Sequence, residues 1–337
     1  MALDSAWGTA EEGEPRPADL RRERLRGLVR RSALFVPVNV PRFVEKAHAR
    51  GADAIILDLE DSIPAAEKKS ARALVRDALR ECAKGGADLL VRINKPYALA
   101  VEDLDACVWP GLDAVHFPKA ESAREVAILD ALIAERERSR GMPVGAVQLS
   151  IAVETALGLH NAVEIALASP RTVAIGLGAE DFTLDIEVTP SRQGQELFYG
   201  KARMIVVARL AGVQPIGTMA SIADYRDLEA VTAAIRHARQ MGFMGAACIH
   251  PAQVAPLNTH FAPTAEEVAS ARKMVAAFEA AVAEGRASVG VEGAMVDVPV
   301  VERARRLLAR AAAIEAKEAR KRAAARSPSP PPGERVM

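Results

Sequence analysis

Glu154 and Asp181 each follow a short apolar run, Val147–Val153 and Val173–Leu177, with no histidine or cysteine at ligand spacing beside them. Two hard oxygen donors of this kind suit Mg²⁺, with Mn²⁺ as the alternative. Such ions take one or two carboxylates and fill the remaining octahedral positions with water and substrate oxygens. Zinc, which prefers nitrogen and sulfur, is disfavoured. Arg92, in the run Leu89–Ile93, carries a permanent charge on a rigid fork, suited to a substrate carboxylate or a developing oxyanion. Glu60, in Asp58-Leu59-Glu60-Asp61, is placed to orient Arg92 or to accept hydrogen bonds from metal-bound water. His250 is either a ligand contact or a histidine that satisfies backbone groups. A salt-bridge network of Arg92, Glu60 and Glu154 is the competing account, and it leaves the approach Gly176-Leu177-Gly178 to Glu180-Asp181 unexplained. Cys248 lies in an apolar run and is expected in the core, not as a nucleophile. His48, His116, His160, His237 and His260 show no ligand spacing and are expected to be structural or on the surface.

The elements that must position these residues alternate. Strand-like runs are Ala33–Val38, Ala54–Leu59, Leu89–Ile93, Ala114–Phe117, Val147–Val153, Val173–Leu177, Gln214–Thr218 and Gly245–Ile249. Amphipathic stretches such as Arg42–Arg50, Glu67–Lys84, Ala123–Ser139, His160–Ala168, Leu197–Ala211 and Leu228–Gln240 separate most of them. Mostly apolar runs of this length read as strands buried on both faces. No Gly-rich phosphate turn follows the first strand, where Pro37-Val38-Asn39-Val40-Pro41 stands instead. The pattern therefore predicts an α/β fold, a TIM (β/α)₈ barrel with a C-terminal helical extension, rather than an open doubly wound sheet. Charged groups then end most strands at one rim, an arrangement that is costly unless they share a site.

Half of the 337 residues are hydrophobic and 4% are aromatic, and 44 basic residues balance 44 acidic ones. Zero net charge gives no argument for nucleic acid or an acidic membrane. Three scattered cysteines support neither a disulfide framework nor a zinc site. No apolar run is long enough for a membrane span, and a cytoplasmic location is expected. Residues 1–31 read as a charged lead, partly disordered, with Leu20–Arg31 as a short basic helix. Residues 32–262 read as the barrel and 263–312 as a helical lid. Residues 313–337 read as a charged and Pro-rich tail, although helical character runs from Val301 to Arg326.

SALFVP at 32, GADAIILDLEDSI at 51, VRIN at 91, ETALGL at 154, GLGAEDF at 176 and CIHPAQV at 248 stand in one order. Together they resemble the HpcH/HpaI aldolase/citrate lyase family, in its citrate lyase beta-subunit-like and malyl-CoA lyase branch, from about Arg31 to Leu308. The resemblance implies Mg²⁺-dependent carbon–carbon lyase chemistry in a homotrimer or homohexamer. It makes Glu154 and Asp181 metal ligands and Arg92 the substrate anchor, beside Glu180. It adds ligand contacts from Phe35 and Val36, from Lys46, and from the backbone at Ile249 and His250. Glu292-Gly293-Ala294-Met295-Val296-Asp297 resembles the family's lid, whose final Asp reaches a neighbouring subunit's site as proton donor or acceptor. Asp297 is equally placed to cap the following helix. The lid departs from the usual Asp-Gly opening, and Pro215-Ile216-Gly217 lacks the Asp that relatives often carry after Ile. Asp61 stands where relatives that cleave free hydroxy-keto acids carry His, which favours a thioester substrate. The implied ligands are a CoA thioester and a 2-oxo acid. The competing expectations are a citrate lyase beta subunit acting on a carrier-protein-bound citryl thioester, and a non-catalytic CoA-ester-binding protein.

Overall fold

The computed structural model describes residues 17–191, 193–219 and 226–326. The acidic lead before residue 17 and the Pro-rich end from residue 327 lie outside them. The chain begins with α1 (Pro17–Arg24), β1 (Ser32–Pro37), α2 (Pro41–Ala47), β2 (Ala54–Asp58), α3 (Lys68–Ala83), β3 (Asp88–Arg92), α4 (Tyr97–Cys107) and β4 (Ala114–Phe117). It continues through α5 (Ala123–Ser139), β5 (Gln148–Val153), α6 (Ala156–His160), α7 (Ala162–Leu167), β6 (Thr172–Leu177), α8 (Ala179–Asp185), α9 (Gln195–Ala211) and β7 (Gln214–Ile216). Then come α10 (Leu228–Met241), β8 (Ala246–Cys248), α11 (Val254–His260), α12 (Ala265–Ala283), the hairpin β9 (Val289–Val291) and β10 (Ala294–Val296), and α13 (Val298–Arg326).

The eight long-range strands are parallel and lie in the order β7-β6-β5-β4-β3-β2-β1-β8. The ring closes through a bridge between Ile216 and Gly245. Gly217 N donates to Gly245 O (2.8 Å) and Met244 N to Pro215 O (3.0 Å). On its other side Gly245 lies against the segment before β1, where a Cβ would be 2.0 Å from the Arg30 carbonyl oxygen and only glycine fits. Strand alternation then divides the core. Ala33, Phe35, Ala54, Ile56, Leu90 and Ala114 pack inside the ring, while Val36, Ile55, Leu57, Val91, Val115 and Ile151 pack under the helices. Burial on both faces explains why the strands read as nearly unbroken apolar runs. Among the described residues, no helix is long and apolar enough to cross a membrane.

The arginines before β1 differ from the expectation of one basic helix. Only Pro17–Arg24 is helical, and four of the arginines, Arg21, Arg22, Arg30 and Arg31, are spent on the barrel, while Arg26 pairs with Glu23 on the surface. Arg22 donates to Arg209 O (2.6 Å) and Arg21 to the carbonyls of Ala166, Ser169 and Ala211, at the ends of α7 and α9. Guanidinium groups there satisfy carbonyls that a helix end leaves open. Arg30 and Arg31 are buried and pair with Asp88 (2.9 Å) and Asp53 (2.7 Å), at and just before the starts of β3 and β2.

The C-terminal helix crosses the same face. Arg310 donates to Leu28 O (2.8 Å) and Met244 O (3.1 Å), Lys317 to Asp88 (2.7 Å) and Lys321 to Asp53 (2.8 Å). Residue 312 therefore falls inside one continuous helix, whose last turns close the N-terminal end of the barrel. The hairpin β9–β10 and the start of α13 pack on α12 through Phe278, Val296 and Val301, a cluster separate from the barrel core.

Candidate active site

Parallel strands bring their C-terminal ends to one rim, and the side chains there follow from inward parity. Asp58 ends β2, on the same parity as Ala54 and Ile56. It accepts two bonds from Arg92 at the end of β3, from Nε (2.7 Å) and from Nη2 (2.6 Å). Backbone N–H groups of Glu60 (2.9 Å) and Ser62 (3.2 Å) complete its shell. Burial pushes the Asp58 carboxyl up, but the Arg92 fork outweighs it and holds the group below the usual carboxylate range. The remaining edge of the fork faces Glu60, with Nη1 2.8 Å from Oε2. The Arg92 guanidinium lies over the Phe35 ring, 4.7 Å from its centroid. Arg92 is thus fixed on three sides before any ligand arrives.

Lys119 is the hub on the other side. It lies just past β4 with a left-handed backbone, φ +51°, a conformation that non-glycine residues adopt at a cost. Its Nζ is 2.5 Å from Glu60 Oε1, 3.3 Å from Asp61, 3.7 Å from Asp181 and 4.0 Å from Glu154. Glu60 is buried, and desolvation raises its carboxyl above the ordinary value against the pull of Arg92 and Lys119.

Glu154 follows β5 and is 5% exposed. Its Oε2 is buried without a hydrogen-bond partner, Lys119 being too far to donate. Burial, then the neighbouring Asp181, pushes its pKa up to about 8. Asp181 sits in the first turn of α8. That helix is tied back to the Glu154 loop by Ala156 N donating to Asp185 Oδ2 (2.7 Å). Gly178 leaves room for this arrangement, since a Cβ there would lie 2.7 Å from Glu154 Cγ. An orphaned buried carboxylate oxygen beside a half-open second carboxylate fits a hard divalent cation that retains open positions for substrate. Among the described residues no larger His/Cys/Asp/Glu group capable of holding a metal is found.

The other expected residues are distributed less tightly. Phe35 faces the lumen, whereas Val36 is buried under the helices, its side chain turned away from the site. Lys46 is exposed in the last turn of α2, outside the rim cluster. Glu180 is exposed beside Asp181. Ile249 is exposed after β8, but its N–H and that of His250 both donate to Gln253 Oε1 (3.1 Å each). His250 Nδ1 accepts from Ala252 N (3.2 Å), the backbone-satisfying arrangement. Asp297 caps α13, with Oδ1 accepting from Val300 N (3.2 Å). Cys248 is buried and its thiol is pushed up to about 12 by desolvation, which suits a core residue. Sequence alone assigns no role to Asp58 or Lys119. The signal that could have found them is the parity shared with Arg92 and the Pro118-Lys119 step at a strand terminus.

Comparison with known proteins bears on this site. The model of the HpcH/HpaI aldolase/citrate lyase family matches residues 31–251. Citrate lyase subunit beta from Leuconostoc mesenteroides is 40% identical over 283 residues, covering 83% of this chain and 92% of that protein. L-malyl-CoA/beta-methylmalyl-CoA lyase from Cereibacter sphaeroides is 33% identical over 307 residues, covering 85% and 96%. Among solved structures, CitE from Mycobacterium tuberculosis in complex with magnesium, acetoacetate and coenzyme A is 31% identical. It has a TM-score of 0.66 and covers 85% of this chain and 99% of that one.

Proposed function

The chain belongs to the HpcH/HpaI aldolase/citrate lyase family, and from that premise we propose that it cleaves or forms a β-hydroxyacyl-CoA thioester, such as malyl-CoA or citramalyl-CoA, with Mg²⁺. The products of cleavage are a 2-oxo acid and acetyl- or propionyl-CoA. The observation that carries this reading is the partnerless Glu154 Oε2 beside Asp181, facing an immobilised arginine across the rim. Magnesium in the solved relative supports it.

In this reading Glu154 and Asp181 hold the metal. Bound there, Mg²⁺ supplies Lewis acidity to the hydroxyl and carboxylate oxygens of the substrate. Glu60 takes the hydroxyl proton, and the O–H electrons become the new carbonyl. The carbon–carbon bond breaks, and its electron pair passes to the thioester as an enolate. Arg92, already fixed by Asp58, stabilises the developing oxyanion without moving. Asp297 from a neighbouring copy, in a homotrimer or homohexamer, gives the enolate carbon its proton. The exposed apolar side chains of Met295 and Val298 on either side of Asp297 support a role between copies.

The test is release of 2-oxo acid from malyl-, methylmalyl-, citramalyl- and citryl-CoA, with Mg²⁺ or EDTA. The expected result is metal-dependent turnover of one of them that falls at least 10²-fold in Glu154→Ala, on the order of the loss of one electrostatic group. Silence with all four would overturn the CoA reading. The higher identity to citrate lyase subunit beta favours one second reading, a carrier-protein-bound citryl thioester, which belongs in the same panel.

A further inference from the structure

Among the described residues, the barrel lumen holds a half-buried titratable group, His116, with no part in the proposed reaction. His116 stands on β4, its Cα paired across the sheet with that of Arg92 on β3. Its Nδ1 is 3.2 Å from Ser150 Oγ on β5. Its ring meets Phe35 edge-on, with centroids 5.8 Å apart and planes at 83°. The same Phe35 ring carries the Arg92 guanidinium 4.7 Å from its centroid. A chain of three contacts therefore runs from β5 through β4 and β1 to the cation on β3.

The chemistry of the chain explains its composition. The Asp58 bonds fix the Nε–Nη2 edge of the fork, but the tilt of its plane depends on what lies beneath it. A phenyl ring has a broad torsional well unless a neighbour stops it. An aromatic edge against Phe35 provides that stop at a favourable angle. A cation at 116 would repel Arg92 and compete for Asp58. Burial and the Arg92 charge, opposed by Asp58, push the imidazole pKa down to about 3, so the ring is neutral.

We propose that His116 is a positioning residue, a neutral aromatic wedge that fixes Phe35 and thereby the orientation in which Arg92 presents its charge. The proposal rests on the reading of Arg92 as the substrate-facing cation, and its test has a readout that needs no substrate. The Arg92 Nε–H resonance, identified by its loss in Arg92→Lys, reports the geometry of the Asp58 fork. It should shift in His116→Ala and stay in place in His116→Phe, which keeps an aromatic edge and loses both nitrogens. Phe35→Leu, which keeps the apolar volume and loses the ring face, should shift it as well, and serves if His116→Ala does not fold. With the thioester turned over, His116→Ala should lower kcat by on the order of 10²-fold with KM little changed, and His116→Phe should restore it. The imidazole ¹⁵N shifts should show one neutral tautomer from about pH 5 to about pH 9.

An unmoved arginine resonance in the folded variants would overturn the proposal, as would His116→Phe behaving like His116→Ala. Titration of His116 in that pH range would overturn it too. If the resonance responds as expected while the wild type turns over no thioester, the functional reading falls and the positioning role stands.

Discussion

Residue by residue, the rim is a balance of charges held apart by small spaces. Arg92, Glu60, Glu154 and Asp181 were legible from sequence because each ends an apolar run, and parallel strands put such ends together. Lys119 also ends an apolar run, but its reach to four carboxylates goes with a left-handed backbone at a non-glycine residue, which the strand pattern does not reveal. His116 was legible only as a histidine without ligand spacing, because its contacts come from three other strands. Gly178 shows what the Gly-rich approach is for. Its missing side chain is the space that Glu154 occupies. Gly178→Ala should therefore displace the Glu154 carboxylate without unfolding the barrel. Calorimetry with Mg²⁺ or Mn²⁺ should show at least tenfold weaker binding, in the range seen when the groups that orient a ligand are lost. Unchanged metal affinity in a folded Gly178→Ala variant would remove Glu154 from the metal set.

Among the elements, α13 is where sequence and structure diverge most. Its Ala-, Arg- and Lys-rich composition reads as a helix running into a charged tail. In the folded chain Lys317 and Lys321 are 7% and 9% exposed, because they reach Asp88 and Asp53 beneath the barrel. Sequence cannot reveal this, since the two partners lie more than 200 residues apart. Burial pushes the Asp53 carboxyl up, but bonds and charge from Arg31, then Lys321, bring it below its ordinary value. Asp88 is lowered in the same way by Arg30, Lys317 and Arg320. Both groups thus bind protons less readily folded than unfolded. Their contribution is complete above about pH 4, the unfolded carboxyl value, and is lost as pH falls through the folded values. Asp53→Asn leaves Arg31 and Lys321 facing a neutral group and should cost about 3–5 kcal/mol at neutral pH. Urea unfolding of wild type and variant should show that gap narrowing below about pH 4. A gap that widens on acidification would mean the network is not held by these ionised carboxylates.

At the scale of the whole molecule, the barrel supplies the Arg92, Glu60, Glu154 and Asp181 cluster, while the hairpin β9–β10 that carries the proposed lid residue packs on α12 in a cluster of its own. Met295 and Val298, 69% and 57% exposed, flank Asp297 on a hairpin packed on α12. The cap bond from Val300 accounts for Asp297 within its own chain, so a catalytic role must be separated from a capping one. Asn caps a helix as well as Asp does, whereas it cannot exchange a proton at neutral pH. Asp297→Asn should therefore melt with the wild type and yet lose turnover. Arg92→Gln disables the rim and leaves the lid intact. If each site joins one chain's rim to another's lid, either variant alone is inactive. Unfolding and reassembling an equal mixture should then restore about a quarter of the sites, those pairing an intact rim with an intact lid by chance in a closed ring. Recovery should scale with the product of the two fractions as the mixing ratio changes. If Asp297 serves only its own barrel, no mixture recovers activity. If Asp297 only caps, Asp297→Asn is active before any mixing.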